Sequence, residues 1–184
     1  MKNFTFAFLI LTTLSLNAQT EKLVDIDGNT YKTLLFNNQL WMAENLRTTK
    51  FNDGTLIPLV DNSSGWGKLT QPAYCWHNND VKSNQNQNGA LYNWYAVETG
   101  KLCPKGWHVP SDKVWLSKAY LPVGYRDDNG LYWFGNNTSF YWTSTECSTI
   151  EAYHTSVYFD GSEVKRDYFS KKFGLSVRCI KNDK

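Results

Sequence analysis

The sequence lacks most of the local patterns by which enzymes and metal proteins are recognised. It has no Cys-x-x-Cys and no His-x-x-x-His pair, so the common zinc-ligand spacings are missing. It also has no Gly-x-Ser-x-Gly elbow and no glycine-rich phosphate loop. Its three histidines, His77, His108 and His154, do not lie beside a cysteine in a known catalytic signature. We therefore predict no catalytic residue, no metal site and no cofactor.

An excess of charge of one sign is also missing. The 19 Lys and Arg residues nearly balance the 17 Asp and Glu residues, which gives a formal net charge of +2. The basic residues are scattered along the chain, whereas a nucleic-acid interface needs them clustered in a patch or stripe. We do not expect a nucleic-acid partner.

Long hydrophobic runs are absent except at the N-terminus. An apolar run from Phe4 to Leu16 follows Lys2 and ends near the small residue Ala18, which is the pattern of a secretory signal peptide over residues 1–18. No other stretch approaches the length of a membrane span. We expect residues 19–184 to form one domain without a transmembrane span, either secreted or held in the periplasm or at the cell surface.

Aromatic residues and cysteines are what the sequence does supply. Eight Trp, eleven Tyr and ten Phe suit either a compact core or a recognition surface, because their rings add contact area with little loss of rotamer entropy. The four cysteines are Cys75, Cys103, Cys147 and Cys179. In an exported chain they favour disulfides, and four cysteines allow three pairings.

The first half of the chain predicts a small β meander followed by loops and a helix. Turn signals at Asp27-Gly28 and Asn37-Asn38 separate strand-like runs. Residues 52–89 are rich in Asn, Gly and Ser, which predicts a long irregular region that packs across the domain. Helical spacing then predicts a helix over residues 90–98, with Gly100 ending it.

The segment "CPKGWHVPSDKVW" at residues 103–115 predicts a junction between a strand and a helix. Residues 107–109 read as a strand, and Ser111 as the cap of a helix that reaches about Tyr120. Asp112 would lie in the first helical turn, at the positive end of the helix dipole. We expect Trp107 and Trp115 to be core residues and His108 to be a hydrogen-bonded structural imidazole.

The second half predicts an antiparallel sheet. Short strands alternate with turns, including Asp128-Asn129-Gly130 and a hairpin turn at Asp160-Gly161. Two acidic clusters invite other interpretations, since "DIDGN" at residues 25–29 resembles the start of a calcium loop and Asp127-Asp128 could be a glycosidase pair. Both clusters lie beside turn residues, so we interpret them as turns.

Six blocks of sequence, in order between residues 25 and 181, closely resemble the Fibrobacter succinogenes major paralogous domain. The blocks are "DIDGNTYKTLLFNNQLWMAENLRTTKFNDGTLIPLV", "PAYCWHNND", "NGALYNWYAVETGKLCPKGWHVPSD", "GYRDDNG", "YWTSTE" and "GLSVRCIK". The family occurs in exported proteins of Bacteroidetes and Fibrobacteres. The resemblance implies an α+β, C-type-lectin-like fold that is distantly similar to the fold of the formylglycine-generating enzyme. Relatives carry a longer segment after the position of Tyr120, so this chain has lost a loop there.

The resemblance also implies a disulfide pairing. Lectin-like folds commonly tie the region entering a helix to the final strand, and Cys103 and Cys179 occupy those positions. Cys75 and Cys147 would then form the second pair. The related oxidases work through two closely spaced reactive cysteines near the C-terminus, which Cys147 and Cys179 do not match.

For function, the sequence favours a non-catalytic binding module for a glycan or protein ligand. In related lectin-like proteins the C-terminal strands and loops form the binding face. The corresponding residues here are Tyr153, His154, Tyr158, Asp160, Arg166 and Tyr168. An exported enzyme related to formylglycine-generating oxidases or acting on a surface polymer, and a structural module of the envelope, remain the alternatives.

Overall fold

The computed structural model describes residues 22–114, 121, 123–133, 138–158 and 163–183. Within these residues the strands are β1 Leu23–Val24, β2 Thr30–Tyr31, β3 Thr33–Phe36, β4 Gln39–Met42, β5 Tyr74–Cys75, β6 Leu91–Tyr92, β7 Trp107–His108, β8 Tyr125–Arg126, β9 Tyr132–Trp133, β10 Thr138–Glu146, β11 Glu151–Tyr158, β12 Val164–Ser170 and β13 Ile180–Lys181. The α-helices are α1 Ser63–Trp66, α2 Val81–Ser83 and α3 Trp94–Glu98. A 3₁₀ turn spans His77–Asn79 and a π-helical turn spans Asn84–Asn88. The structure is mostly β with short helices, which is consistent with the α+β class.

The N-terminal residues form two antiparallel hairpins, as their turn residues predict. β1 pairs with β2 around a turn in which Asp25 Oδ1 accepts hydrogen bonds from the backbone N–H groups of Asp27 and Asn29. β3 pairs with β4, and the two turn residues Asn37 and Asn38 have φ of 49° and 61°, a region that Asn tolerates better than most residues. The carboxylate of Asp25 therefore stabilises a turn, as expected for "DIDGN".

The C-terminal segment runs through the middle of the fold. β13 lies between β4 and β7 in a four-stranded sheet of order β3-β4-β13-β7. Just before β13, the backbone carbonyls of Val177 and Cys179 accept hydrogen bonds from the N–H groups of Leu46 and Met42, at 2.8 and 2.9 Å. Residues 174–180 are buried, so both faces of this segment contact protein.

The predicted disulfide between Cys103 and Cys179 is confirmed. The two Cα atoms are 6.0 Å apart, and the bond joins positions separated by 76 residues. A loop of that length raises the free energy of unfolding by roughly 4 kcal/mol in the chain-entropy account of disulfides. The bond therefore anchors the central strand to the segment that precedes β7.

The expected second disulfide is wrong, because Cys75 and Cys147 are free thiols. Cys75 is fully buried on β5, in a cluster with Trp66, Leu91 and Val123. Cys147 lies directly after β10, in a turn where its N–H donates to the carbonyl of Glu151. Cys75 lies in a buried cluster and Cys147 in a turn outside it. The positions of the two cysteines in the sequence do not show how far apart they lie in the fold.

The helix predicted over residues 90–98 is shorter in the structure. Leu91 and Tyr92 form β6, which pairs with β5, and the helix begins only at Trp94. Asn93 determines this boundary, since its extended backbone and its side chain, which accepts from the N–H of Ala96, make it the N-cap. Gly100, with φ of 67°, follows the last helical residues as expected.

The segment from Cys103 to Val114 is scaffold in its described part. Trp107 is 8% exposed and belongs to the main core, and His108 Nδ1 lies 2.7 Å from Asn182 Oδ1. The carbonyl of Pro110 accepts a hydrogen bond from the N–H of Ser144. Residues 111–114 form a turn, while Trp115 and the rest of the helix expected to reach Tyr120 lie outside the described residues.

The irregular region over residues 52–89 packs across the domain, as predicted. Trp66 is fully buried, and its Nε1 donates to the carbonyl of Lys172 at 2.8 Å. Arg126 is also fully buried, with its guanidinium carbon 4.6 Å from the Trp66 ring centroid. Because Arg126 donates to the carbonyls of Val60 and Asp61, it joins this region to the β8–β9 hairpin.

The C-terminal antiparallel sheet contains β10, β11 and β12 in that order. Its register pairs Tyr153 with Tyr168 and His154 with Asp167. Since successive residues of a strand point to opposite faces, the sheet has two distinct faces. The tyrosine face carries Tyr153, Thr155, Arg166 and Tyr168, and the histidine face carries His154, Tyr158, Lys165, Asp167 and Phe169.

Each face packs partly against the rest of the protein. On the histidine face, Phe140 and Phe169 pack with Tyr125 and Phe173, with ring centroids 4.4 to 6.1 Å apart. On the tyrosine face, Tyr141 and Val157 pack against Trp41 and Ile180. The part of the tyrosine face nearest to residues 110–114 keeps exposed side chains.

Candidate functional site

Three of the six predicted ligand residues lie together on the tyrosine face. They are Tyr153 on β11, and Arg166 and Tyr168 on β12. Tyr153 and Tyr168 are directly paired across the strands, and Arg166 is paired with Thr155, two residues along from Tyr153. Residues at paired and diagonal positions are close enough for long side chains to touch.

Arg166 is held over the ring of Tyr153. Its guanidinium carbon lies 3.4 Å from the ring centroid, within the range of a cation–π contact. Its Nε donates to Oδ2 of Asp112, which forms an ion pair between β12 and the turn at residues 111–114. The Arg166 side chain nevertheless remains 48% exposed, so it is both positioned and accessible.

Thr145 holds Asp112 in place through two hydrogen bonds. The Thr145 hydroxyl donates to Oδ1 of Asp112 at 2.6 Å and accepts from the Asp112 N–H at 3.2 Å. The hydrogen bond from Thr145, followed by the contacts with Arg166, lowers the pKa of the Asp112 carboxyl below its ordinary value. Asp112 is therefore ionised at neutral pH and orients the guanidinium above Tyr153.

Tyr168 supplies the exposed aromatic surface of the site. Its side chain is 50% exposed, and its ring meets that of Tyr153 edge to face, with centroids 6.5 Å apart. Edge-to-face pairs are a favourable arrangement of aromatic rings. We term the group Tyr153, Arg166, Tyr168, Asp112 and Thr145 the tyrosine platform.

His154 is not part of the tyrosine platform. It points to the histidine face, is 2% exposed, and stacks on Phe169 with centroids 4.0 Å apart. Burial lowers its pKa to about 4, although the nearby Asp167 acts in the opposite direction. Its Nδ1 has no hydrogen-bond partner among the described residues. His154 is therefore a neutral core imidazole.

Tyr158 is also apart from the platform, and Asp160 has no described position. Tyr158 lies on the histidine face, where Lys165 Nζ is 5.2 Å from its ring centroid. Asp160 lies in the segment between β11 and β12 that is outside the described residues. The six predicted residues thus divide into an accessible group of three, two residues on the other face and one without a described position.

Sequence reasoning missed the contribution of Asp112 and Thr145. Asp112 was expected to stabilise a helix N-terminus, yet its carboxylate pairs with a residue on β12 that is 54 positions away. Only the tertiary packing of the turn at residues 111–114 on the sheet brings them together. The sequence could have shown which predicted residues share a face of β11. Because successive residues of a strand point to opposite faces, Tyr153 lies on the opposite face from His154 and Tyr158.

A cavity of about 390 Å³ is lined in part by the same turn. It is lined by Phe36, Asn37, Gln39, Trp41, Lys113 and Val114. Because Lys113 and Val114 directly follow Asp112, the cavity and the tyrosine platform flank one segment of chain. The cavity combines aromatic rings with amide and ammonium groups.

The carboxylate of Asp127 stabilises a turn. Asp127 Oδ1 accepts from the N–H groups of Asn129 and Leu131, and its Oδ2 accepts from Trp133 Nε1 at 2.8 Å. This is the turn predicted for Asp127-Asp128. Among the described residues, no group of three His, Cys, Asp or Glu side chains is placed to hold a metal ion. In that part of the chain there is also no helix with the length and apolar character of a membrane span.

Comparison with known proteins gives a family match for part of the chain. Residues 35–119 match the family model of the Fibrobacter succinogenes major domain, which covers β3 to the turn at residues 111–114. No curated protein and no solved structure matches the chain. The matched segment contains Cys103 and Asp112, whereas β10, β11 and β12 follow it in the sequence. Over residues 35–119 this chain carries the Fibrobacter succinogenes major domain.

Proposed function

We propose that this protein is a non-catalytic binding module that takes a glycan or protein ligand on the tyrosine platform. The observation that carries the proposal is the position of Arg166, fixed between the Tyr153 ring and the Asp112 carboxylate while half of its side chain stays exposed. An exposed, prearranged cation beside an exposed ring loses little entropy when a ligand binds. Stability alone gives little reason for this arrangement, because exposed ion pairs contribute little to it.

The chemistry of the platform suits hydroxyl-rich and polar ligands. The half-exposed ring of Tyr168 offers a flat surface for stacking, and Arg166 offers several N–H donors in a fixed plane. Tyr and Arg are enriched among the residues that dominate binding energy at protein interfaces.

We also propose a lectin-like fold and a location outside the cytoplasm. A lectin-like arrangement is supported by the disulfide that ties the final strand to the segment before β7. Location outside the cytoplasm is supported by the same disulfide, since such bonds persist in oxidising compartments, and by the signal-like residues 1–18. In this account the protein is secreted, periplasmic or at the cell surface.

Screening the purified protein on a glycan array and in pull-downs with envelope extracts tests the proposal. For a ligand found in this way, Tyr168→Ala and Arg166→Ala are expected to weaken binding by about tenfold or more, the cost typical of residues that dominate an interface. Tyr158→Ala is the matched control, because it removes a tyrosine from the same sheet on the histidine face. Equal losses in Tyr158→Ala and Tyr168→Ala would discard the tyrosine platform as the binding surface.

A further inference from the structure

β12 is an edge strand of the C-terminal sheet. The strand order β10-β11-β12 makes β10 and β12 the two edges. The edge at β10 is partly occupied, because Trp142 N–H donates to the carbonyl of Ser176 and Ser144 N–H donates to that of Pro110. In the described part of the chain no strand lies beside the outer edge of β12, and residues 164–168 are exposed.

The hydrogen bonds at the two ends of the β11–β12 pairing show which backbone groups face outward. Tyr158 N–H donates to the Glu163 carbonyl, and Lys171 N–H donates to the Ile150 carbonyl. The register between these ends is unbroken. In an antiparallel pair, positions that exchange hydrogen bonds alternate with positions whose N–H and carbonyl groups point away from the partner strand. The odd-numbered residues of β12 therefore bond to β11, and the even-numbered residues direct their backbone groups outward.

The outward groups form a regular row of donors and acceptors. Val164 and Arg166 each present an N–H and a carbonyl group, and no described residue bonds to them. At Tyr168 the N–H donates to Oδ1 of Asp167 at 2.9 Å. The row ends at Ser170, whose carbonyl accepts from the N–H of Phe173. Because these groups recur at every second residue, they match the backbone of another extended chain.

The charged residues of β12 do not block such pairing. Charges on an edge strand often prevent a second strand from adding to it. Here Lys165 forms an ion pair with Glu163, and Arg166 forms one with Asp112, so each cation already has a carboxylate partner. The pairing of β12 also lacks the register shift that interrupts the pairing of β10.

A second copy of this protein fits the edge poorly. Two copies of β12 related by a two-fold axis would pair antiparallel about one central residue, which faces its own copy. A centre at Lys165, Arg166 or Asp167 places two like charges opposite each other, which destabilises a strand pair. A centre nearer either end of β12 shortens the paired segment. The edge therefore favours a strand from a different protein.

We propose that β12 binds an extended segment of a protein ligand as an added β-strand. This inference rests on the proposed function, because Arg166 and Tyr168 of the tyrosine platform lie on β12 and would face the side chains of the added strand. A carboxylate opposite Arg166 and an apolar or aromatic group opposite Tyr168 are the favourable neighbours. Backbone hydrogen bonds supply the affinity, and these two positions supply the specificity.

Peptide selection followed by backbone methylation tests the proposal. The probe is a phage-displayed library of random linear peptides, from which the selected peptides are synthesised and their affinities measured by calorimetry. N-methylation at alternate residues of the bound segment should weaken binding about tenfold or more, because only every second N–H faces β12. Methylation at the residues between them should be tolerated. Contact through side chains alone gives no such alternation.

Val164→Pro tests the same contact from the side of the protein. Proline removes an outward N–H, and edge strands tolerate proline where the N–H faces solvent, so the fold should be retained. We expect Val164→Pro to weaken peptide binding about tenfold or more, and Val164→Ala, which keeps the N–H, to weaken it much less. Thermal unfolding checks both variants. If Val164→Pro fails to fold, the methylated peptides still decide the matter.

Several results would overturn the added strand. Selection of no peptide, equal tolerance of methylation at every position, or equal losses in Val164→Pro and Val164→Ala would each reject it. A dimer that Val164→Pro dissociates in sedimentation would assign the edge to a second copy instead. Loss of binding in Tyr168→Ala without the alternation would reject the added strand and keep the tyrosine platform. Alternation with full binding in both Tyr168→Ala and Arg166→Ala would keep the added strand and reject the platform.

Discussion

Lys171 lies buried between the carboxylate of Glu146 and the indole ring of Trp94. Its side chain is 5% exposed, Nζ is paired with Glu146 and lies 3.8 Å from Glu98 Oε2, and the Trp94 ring centroid is 4.7 Å away. Both carboxylates reach solvent, since the Glu98 and Glu146 side chains are 40% and 55% exposed. The ammonium group is the buried member of this cluster.

Lys171→Met is expected to change the free energy of unfolding by at most about 1 kcal/mol. Methionine keeps the apolar stem that contacts Trp94, and the two glutamates that lose their partner remain solvated. Lys171→Glu should destabilise the protein by about 3 kcal/mol or more, because it buries a negative charge beside two others. Urea unfolding of both variants measures the difference, and a large loss in Lys171→Met would show that the charge itself stabilises the fold.

Stability is expected to fall between pH 7 and pH 5 because of His154. Its pKa is about 4 in the folded protein, below the value of an exposed histidine, so the unfolded state binds the proton more readily. This contribution to stability is complete above about pH 6.5 and is lost as the pH falls toward 4. A shift of this size removes about 2 kcal/mol between pH 7 and pH 5.

His154→Phe isolates that effect. Phenylalanine keeps the stacking on Phe169 and does not titrate, so the loss of stability between pH 7 and pH 5 should shrink by about 2 kcal/mol. His77, whose pKa is also lowered by burial, contributes in the same range and remains in both proteins. An unchanged pH dependence in His154→Phe would mean that His154 is not buried as described.

Thiol labelling should distinguish the four cysteines. Unfolded, unreduced protein is expected to react with iodoacetamide at Cys75 and Cys147 only, because Cys103 and Cys179 are bonded to each other. In the folded protein Cys147 should react much faster than Cys75, since burial raises the pKa of the Cys75 thiol to about 11 and shields it. Peptide mass spectrometry identifies the labelled sites, and a cross-linked peptide joining Cys75 to Cys147 would contradict the structure.

Gly124 and Gly100 form a matched pair for testing backbone packing. Both have positive φ, 84° and 67°, so alanine is strained at either position. A Cβ at Gly124 would lie 2.1 Å from the Trp133 carbonyl oxygen, whereas a Cβ at Gly100 meets nothing within 4 Å. We expect Gly100→Ala to cost about 1 kcal/mol and Gly124→Ala at least about 2 kcal/mol more. Similar melting temperatures for the two variants would refute the close contact between residues 124 and 133.

Local sequence predicted the features that local chemistry determines. The turns at Asp25 and Asp127 and the end of α3 at Gly100 depend on residues a few positions apart. The disulfide between Cys103 and Cys179 followed from the family resemblance, since spacing alone left three pairings open.

The features that sequence did not predict depend on packing between distant segments. Asp112 meets Arg166 because the turn at residues 111–114 packs on the sheet, and Lys171 meets Glu146 across the ends of β10 and β12. Cys75 stays unpaired because β5 pairs with β6 in a separate cluster. The position of His154, by contrast, was predictable, because alternation along a strand places it on the opposite face from its neighbour Tyr153.

The position of β13 between β4 and β7 also determines when this domain can be completed. The strand at the centre of that sheet leaves the ribosome after β4 and β7, so a nascent chain that ends before β13 exposes the facing edges of β4 and β7. Contacts between segments so far apart in sequence slow folding. Premature termination before β13 should therefore yield an aggregation-prone product that is open to proteolysis.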